Sequence, residues 1–215
     1  MNRLLDRWIA ELDTALRVLG TRARNEPSDM PGRSDSTHKA EDTQLTSAER
    51  DQSARLMRIN HSGEIAAQAL YRGQAFVTRN DEMRNNLLTA AGEEHRHLLW
   101  CDHRVRELGT QASRLGPMWY GGSFIIGALV GMAGDRISLG FLAETEKQVT
   151  RHLAGHLSRL PPKDARSHDI VEKMRDDEQA HQNAAVRDGG AELPEPAERA
   201  MQGVARIMTG VSYWI

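Results

Sequence analysis

Residues 87–105 read LLTAAGEEHRHLLWCDHRV. Advanced about 100° per residue, Leu87, Ala90, Leu98, Cys101 and Val105 fall on one face, which is the core stripe of an amphipathic helix. Glu94 falls on the same line. A bundle helix normally keeps ionisable groups off that stripe, because a buried unpaired carboxylate must find compensation or give up its charge. Three other glutamates break the rule in the same way. Glu64 shares a face with Met57, Ala67 and Tyr71, and Glu178 shares one with Val171, Met174 and Ala185. Glu146 is the sharpest case, flanked on its stripe by Leu139, Leu142, Val149, Leu153 and Leu157. Its neighbour Glu144 points the other way and reads as solvated.

Glu94 and Glu178 each precede a histidine by three positions, giving Glu94-x-x-His97 and Glu178-x-x-His181. Sixteen Glu and nine His make such pairs common by chance, so the wider spacing carries the weight. Glu64 and Glu94 are symmetric about position 79, inside a Thr78-Arg79-Asn80-Asp81 turn signal, and Glu146 and Glu178 are symmetric about Pro162. Antiparallel helices place residues equally far from their turn at equal height, here roughly 22 Å from it at ~1.5 Å per residue. Each hairpin therefore sets one Glu beside one Glu-x-x-His. Two hairpins packed together supply four carboxylates and two imidazoles at one level, the ligand recipe of a di-iron or di-manganese carboxylate bundle. Oxygen and imidazole donors suit those metals better than a thiolate metal. Asp177 is placed to fix the free nitrogen of His97, and Glu93 that of His181. A single core-facing Glu is more often a salt-bridged residue; the matched set of six is what points to metal. His152 and His156, four apart, could form a zinc pair but lie beside the Glu146 stripe. His61 is a candidate supporting residue for Glu64, and Cys101 reads as packing.

The surrounding chain fits an all-α bundle. Of 215 residues, 39% are hydrophobic, 5% aromatic and 27% charged, a helix-friendly and strand-poor mixture. A formal charge of −2 gives no field to draw nucleic acid, and one cysteine excludes an internal disulfide framework. Charges near the start break any secretory apolar core. The organisation expected is an amphipathic helix over residues 1–20, a flexible linker over 21–46 rich in Pro, Gly, Ser and Asp, and a bundle domain over 47–215 opened by a Thr46-x-x-Glu49 capping box. Four long helices are predicted at about Ser47–Thr78, Asp81–Leu108, Trp119–Leu160 and Asp164–Arg187, followed by one from about Ala197 to the aromatic Tyr213-Trp214-Ile215 end. Leu115–Gly134 carries no charge, and its six glycines and one proline read as a turn plus a tightly packed or interfacial helix rather than a lipid-facing span. Gly127-x-x-x-Gly131 within it would permit close helix packing or dimerisation.

The run Leu56-Met57-Arg58-Ile59-Asn60-His61-Ser62-Gly63-Glu64, with Tyr71-Arg72-Gly73-Gln74 after it, closely resembles the first bundle helix of the Coq7 family of demethoxyubiquinone hydroxylases. Glu93-Glu94-His95-Arg96-His97, Glu144-Thr145-Glu146 and Asp177-Glu178-Gln179-Ala180-His181 match its remaining ligand segments in order, over about residues 47–215. The resemblance implies a ferritin-like fold with two iron ions held by Glu64, Glu94, His97, Glu146, Glu178 and His181. It implies a monooxygenase that uses O2 to hydroxylate the ring of a polyprenyl methoxy-methyl benzoquinol late in ubiquinone biosynthesis, with NADH as electron donor. No nucleotide fingerprint is present, so the donor rests on the resemblance alone. It further implies a peripheral protein at the cytoplasmic face of the bacterial inner membrane, with room for a homo-oligomer or a ubiquinone-biosynthesis complex. The competing reading is a ferritin-like iron-oxidising storage or detoxification protein on the same bundle; a greasy entrance distinguishes the quinol enzyme from it.

Overall fold

The computed structural model describes residues 3–22, 25–32 and 45–215; positions 33–44 of the expected linker lie outside the described residues. Seven helices and no strand are found among them: α1 (Arg3–Leu19), α2 (Ser47–Val77), α3 (Asp81–Glu107), α4 (Gly116–Met132), α5 (Asp135–Leu157), α6 (Ala165–Arg187) and α7 (Glu195–Ser212). The capping box forms as expected: the Glu49 amide donates to Thr46 Oγ1, and the Thr46 amide donates to Glu49 Oε2 at 2.8 Å. Asn80 caps α3 by accepting from the Glu82 and Met83 amides.

The predicted third helix is two helices. Gly134 adopts φ 108°, a conformation that ends α4 and that a residue with a Cβ rarely tolerates. The next residue, Asp135, opens α5, where a carboxylate suits the helix dipole. That carboxylate also accepts from Thr78 Oγ1 at 3.1 Å and Asn80 Nδ2 at 3.2 Å, latching the new helix to the α2–α3 turn. The break changes the topology. Gly127 and Gly131 of α4 approach Leu70 and Gln74 of α2 in the same order, so those two helices run parallel. On α5, Ser138 meets Gln74 and Glu146 meets Tyr71, so it runs the opposite way. α2, α3, α5 and α6 are the bundle, and α4 is a helical crossover between its two hairpins, as in ferritin-like folds.

The crossover sits very close to α2. A Cβ at Gly127 would lie 2.0 Å from the Leu70 carbonyl oxygen, and one at Gly73 would lie 2.2 Å from that of Phe124. The glycine stripe of the uncharged segment thus serves packing within the chain. The bundle core divides into two apolar layers. One holds Met57, Cys101, Val105, Leu153, Ile170 and Met174; the other holds Leu70, Tyr71, Leu87, Ala91, Leu142 and Ala185. Along every bundle helix the candidate ligands fall between these layers.

The N-terminal part is held against the bundle. α1 lies antiparallel to α2: Arg7 donates to the Phe76 carbonyl at 2.8 Å, Arg72 grips Glu11 at 2.8 and 2.9 Å, and Val18 is buried. Within the expected linker, Arg166 donates to the Gly32 carbonyl and to Glu26, and Met30 is buried. Residues 25–32 are therefore docked on the bundle.

Gly127→Ala should destabilise the protein by about 1–3 kcal/mol, because overpacking against a backbone carbonyl outweighs the gain in helix propensity. Gly122→Ala on the open face of α4, where a Cβ meets nothing within 4 Å, should be neutral or stabilising by up to ~1 kcal/mol. Urea denaturation of the two variants reads the difference.

Candidate metal centre

All six sequence-predicted residues meet at one level. The four glutamates are between 1% and 3% exposed and His97 is fully buried, while His181 retains partial access. His97 Nδ1 lies 3.3 Å from Glu94, 3.1 Å from Glu178 and 3.8 Å from Glu64. His181 Nδ1 lies 3.0 Å from Glu178, 3.6 Å from Glu94 and 3.9 Å from Glu146. Two sets of four donors result, Glu64, Glu94, His97, Glu178 and Glu94, Glu146, Glu178, His181, with the donor atoms of each set within 4.8 Å of one another. The sets share Glu94 and Glu178, one from each hairpin, so the arrangement would accommodate two ions with these two carboxylates within reach of both.

The outward nitrogens are occupied in the way the spacing predicts. His97 Nε2 lies 3.2 Å from Asp177 Oδ2, and His181 Nε2 lies 2.7 Å from Glu93 Oε2. With Nε2–H held outward by a carboxylate, Nδ1 of each ring is the nitrogen left facing the cluster, and on losing its proton it has the ligand tautomer that metal-bound histidines use. Tyr71, fully buried on α2, donates its phenol to Glu146. Sequence reading placed Tyr71 on the Glu64 stripe without seeing this contact, because the partner stands on another helix.

Without a cation the cluster retains protons. Burial, then the neighbouring Glu94, pushes Glu64 well above the usual carboxylate range; burial and Glu178 raise Glu94 and Glu146. Burial acts against Glu178 too, but hydrogen bonds from His181 and His97 outweigh it and hold that carboxyl at about 2. Burial likewise opposes charge on His181, yet Glu178, Glu94 and Glu93 bring it up to about 9; His97 is raised as well. Divalent ions can replace those protons as the compensating charge. Glu94 Oε1, buried without a hydrogen bond, and the oxygen and imidazole donor set both fit iron or manganese.

Other candidates are placed elsewhere. His61 turns toward Asp102, 4.0 Å away, and burial lowers its pKa to about 4. The His152 and His156 ring centroids lie 4.0 Å apart with the planes tilted by 60°, but no third donor joins them among the described residues, so they form no zinc site there. Cys101 packs against Met174 with a sulfur–sulfur distance of 3.7 Å. Glu144 is buried rather than solvated: it pairs with Lys147 and Gln148, and Lys147 also reaches Glu198 of α7 at 3.5 Å.

Residues 51–212 match the family model described as ubiquinone biosynthesis protein COQ7. The chain belongs to the COQ7 family. Curated relatives named 3-demethoxyubiquinol 3-hydroxylase extend the likeness along nearly the whole length. The Cupriavidus pinatubonensis protein is 48% identical, covering 98% of this chain and all of its own; the Ralstonia pickettii protein is 49% identical, covering 99% and 100%. The Nitrosococcus oceani protein is 48% identical over 98% of this chain and 96% of its own. COQ7 membership also accounts for the ferritin-like bundle.

In the metal-free protein, the folded state binds protons more tightly than the unfolded chain at Glu64, Glu94, Glu146, His97 and His181. Their contribution is full below the unfolded pKa and is lost as pH rises through the folded one. Glu178 has the opposite sign, but its window, from 4.5 down to about 2, lies far below neutrality. His61, His152 and His156, lowered by burial, also have the opposite sign, but their window closes around the unfolded value of 6.5, so little of it remains above pH 7. The urea midpoint of the metal-free chain should therefore fall from pH 7 to pH 9. Saturating Mn2+ should flatten or reverse that trend, since binding releases the same protons.

Proposed function

We propose that the chain is a di-iron monooxygenase that uses O2 to hydroxylate the ring of a demethoxyubiquinol. The observation that carries this reading is a cavity of about 780 Å³ that ends on Glu64, Glu94, Glu146 and Glu178. Its walls come from α2, α4, α5 and α7 and are mainly apolar, with Leu70, Phe141, Val149 and Met201 among them. Such a space accepts a substituted quinol ring and the first part of an isoprenoid tail. An iron store needs a polar route for hydrated ions, and this route is greasy, so the cavity favours the quinol enzyme over a ferritin-like storage or detoxifying protein. The curated relatives carry the hydroxylase name over the full chain length.

Glu64, Glu94, His97, Glu146, Glu178 and His181 would hold two iron ions, which when bound supply O2 activation and electron transfer to oxygen. The chain's own groups do the rest. Asp177 and Glu93 orient the imidazoles, Tyr71 fixes Glu146, and the apolar walls exclude water and hold the ring beside the cluster. NADH as electron donor comes from the family resemblance. Residues 47–215 form the catalytic unit, and 1–20 and 21–46 are accessory. No described helix is long and apolar enough to cross a membrane, while α4 exposes Met118, Ile125, Leu129 and Met132 along one stripe. We read the protein as peripheral at the cytoplasmic face of the inner membrane, where its polyprenyl substrate resides.

Anaerobic loading with Fe2+, followed by O2 and a short-chain demethoxyquinol, should yield a product heavier by one oxygen atom, and Glu178→Ala should lose it. Iron oxidation with no change in the quinol would instead establish the storage reading. Asp177→Asn should weaken metal binding by about 10–100-fold while leaving the helical content intact.

A further inference from the structure

α1 is amphipathic, yet most of its aliphatic stripe is not what meets the bundle; its contacts are polar, aromatic and, toward its C-terminal end, made by Ala15, Val18 and Leu19. Glu11 and Arg7 make the polar contacts to α2, and Trp8 packs on Phe76 and Phe124 at centroid distances of 4.5 and 6.2 Å. Its aliphatic stripe faces away: Leu5, Ile9, Leu12 and Leu16 are 56%, 57%, 61% and 72% exposed. α1 is thus already fixed by a different face, one that includes buried Val18, and the Leu5–Leu16 stripe is left over. The Arg72–Glu11 fork and the Arg7 contact hold that stripe outward.

The stripe continues into other apolar surface. Trp8 touches Phe124 of α4, whose neighbour Ile125 begins the exposed row that includes Leu129 and Met132. Ile126 is both surface-exposed and part of the cavity wall, and so is Val204 of α7. One apolar surface thus runs from α1 across α4 to the mouth of the cavity that ends on the carboxylates. Neither the α1 stripe nor any position of α4 carries a charge.

We propose that α1 is a second membrane-docking helix, inserting Leu5, Ile9, Leu12 and Leu16 into the same bilayer leaflet as the exposed row of α4. The inference rests on the quinol reading for its choice of occupant: a subunit seated on this surface would stand over the cavity mouth, whereas a bilayer opens into it and delivers the substrate. With no cation on the stripe, attachment is hydrophobic and persists at high salt. The two helices define a plane, where α4 alone defines only a line, so α1 sets the tilt at which the mouth meets the lipid.

Co-sedimentation of the full chain with phosphatidylcholine vesicles tests this, using Ile9→Gln/Leu12→Gln/Leu16→Gln beside Ile125→Gln/Leu129→Gln. Both variants should lose partitioning by tenfold or more at low and at high salt. The α1 variant should keep wild-type metal loading and wild-type turnover of a short-chain quinol, and lose turnover of a long-chain quinol embedded in vesicles. Undiminished partitioning of the α1 variant overturns the proposal. So does unchanged partitioning accompanied by a shift from oligomer to monomer in gel filtration, which would make the stripe a subunit contact. Partitioning needs no turnover, so it decides the point even if the wild-type protein hydroxylates nothing, an outcome that would sink the quinol reading instead.

Discussion

Four carboxylates buried at one height are the constraint around which this bundle is arranged. Left bare, such a group would repel itself apart in a low-dielectric core, and the chain answers with protons and hydrogen bonds from every side. Two imidazoles sit among the glutamates, a phenol reaches Glu146 from the neighbouring helix, and Asp177 and Glu93 anchor the imidazoles from outside. The apolar layers above and below do the holding. Met57, Leu153 and Met174 on one side and Leu87, Leu142 and Ala185 on the other set the four helices at the separation the polar level requires. Stability of the fold is vested in the layers, and reactivity in the slab between them.

The crossover helix turns that arrangement into an open one. A bundle with short connections would close all four sides of the polar level. Here α4 lies along α2, with glycines giving backbone contact, while α7 returns across α5. The gap between α4 and α7 becomes an apolar passage to the ligands. The chemistry of the site and the route to it therefore come from different parts of the chain, joined at Ile126, which is at once surface and wall.

Much of this was legible in the sequence because the signals are local. Glutamates on leucine stripes, turns at Asn80 and Pro162, and equal spacing from those turns are read one helix at a time, and they place all six candidate ligands and both outer carboxylates at one level, where the structure gathers them. What escaped depended on contacts between distant segments. The break at Gly134 is invisible to periodicity, since glycine also sits inside helices; it becomes a terminus only because Asp135 finds Thr78 and Asn80. Glu144 looked solvated because its cover, α7, arrives fifty residues later. The linker composition around Pro27 and Gly32 argued for a free tether, and the groups that hold it down, Arg166 on Gly32 and Glu26, Trp100 on Asp29 and the core around Met30, all lie far along the chain.

The exchange of outer carboxylates between hairpins has a consequence for assembly. His97 of the first hairpin is oriented by Asp177 of the second, and His181 of the second by Glu93 of the first. Glu94 and Glu178, also one from each, belong to both donor sets. Neither hairpin carries a complete donor set; each carries candidate donors whose alignment is kept by the other. Uptake of an ion there would thereby depend on the docking of α3 on α6 rather than on the folding of either hairpin, and a nascent chain released before α6 has emerged would hold no complete donor set.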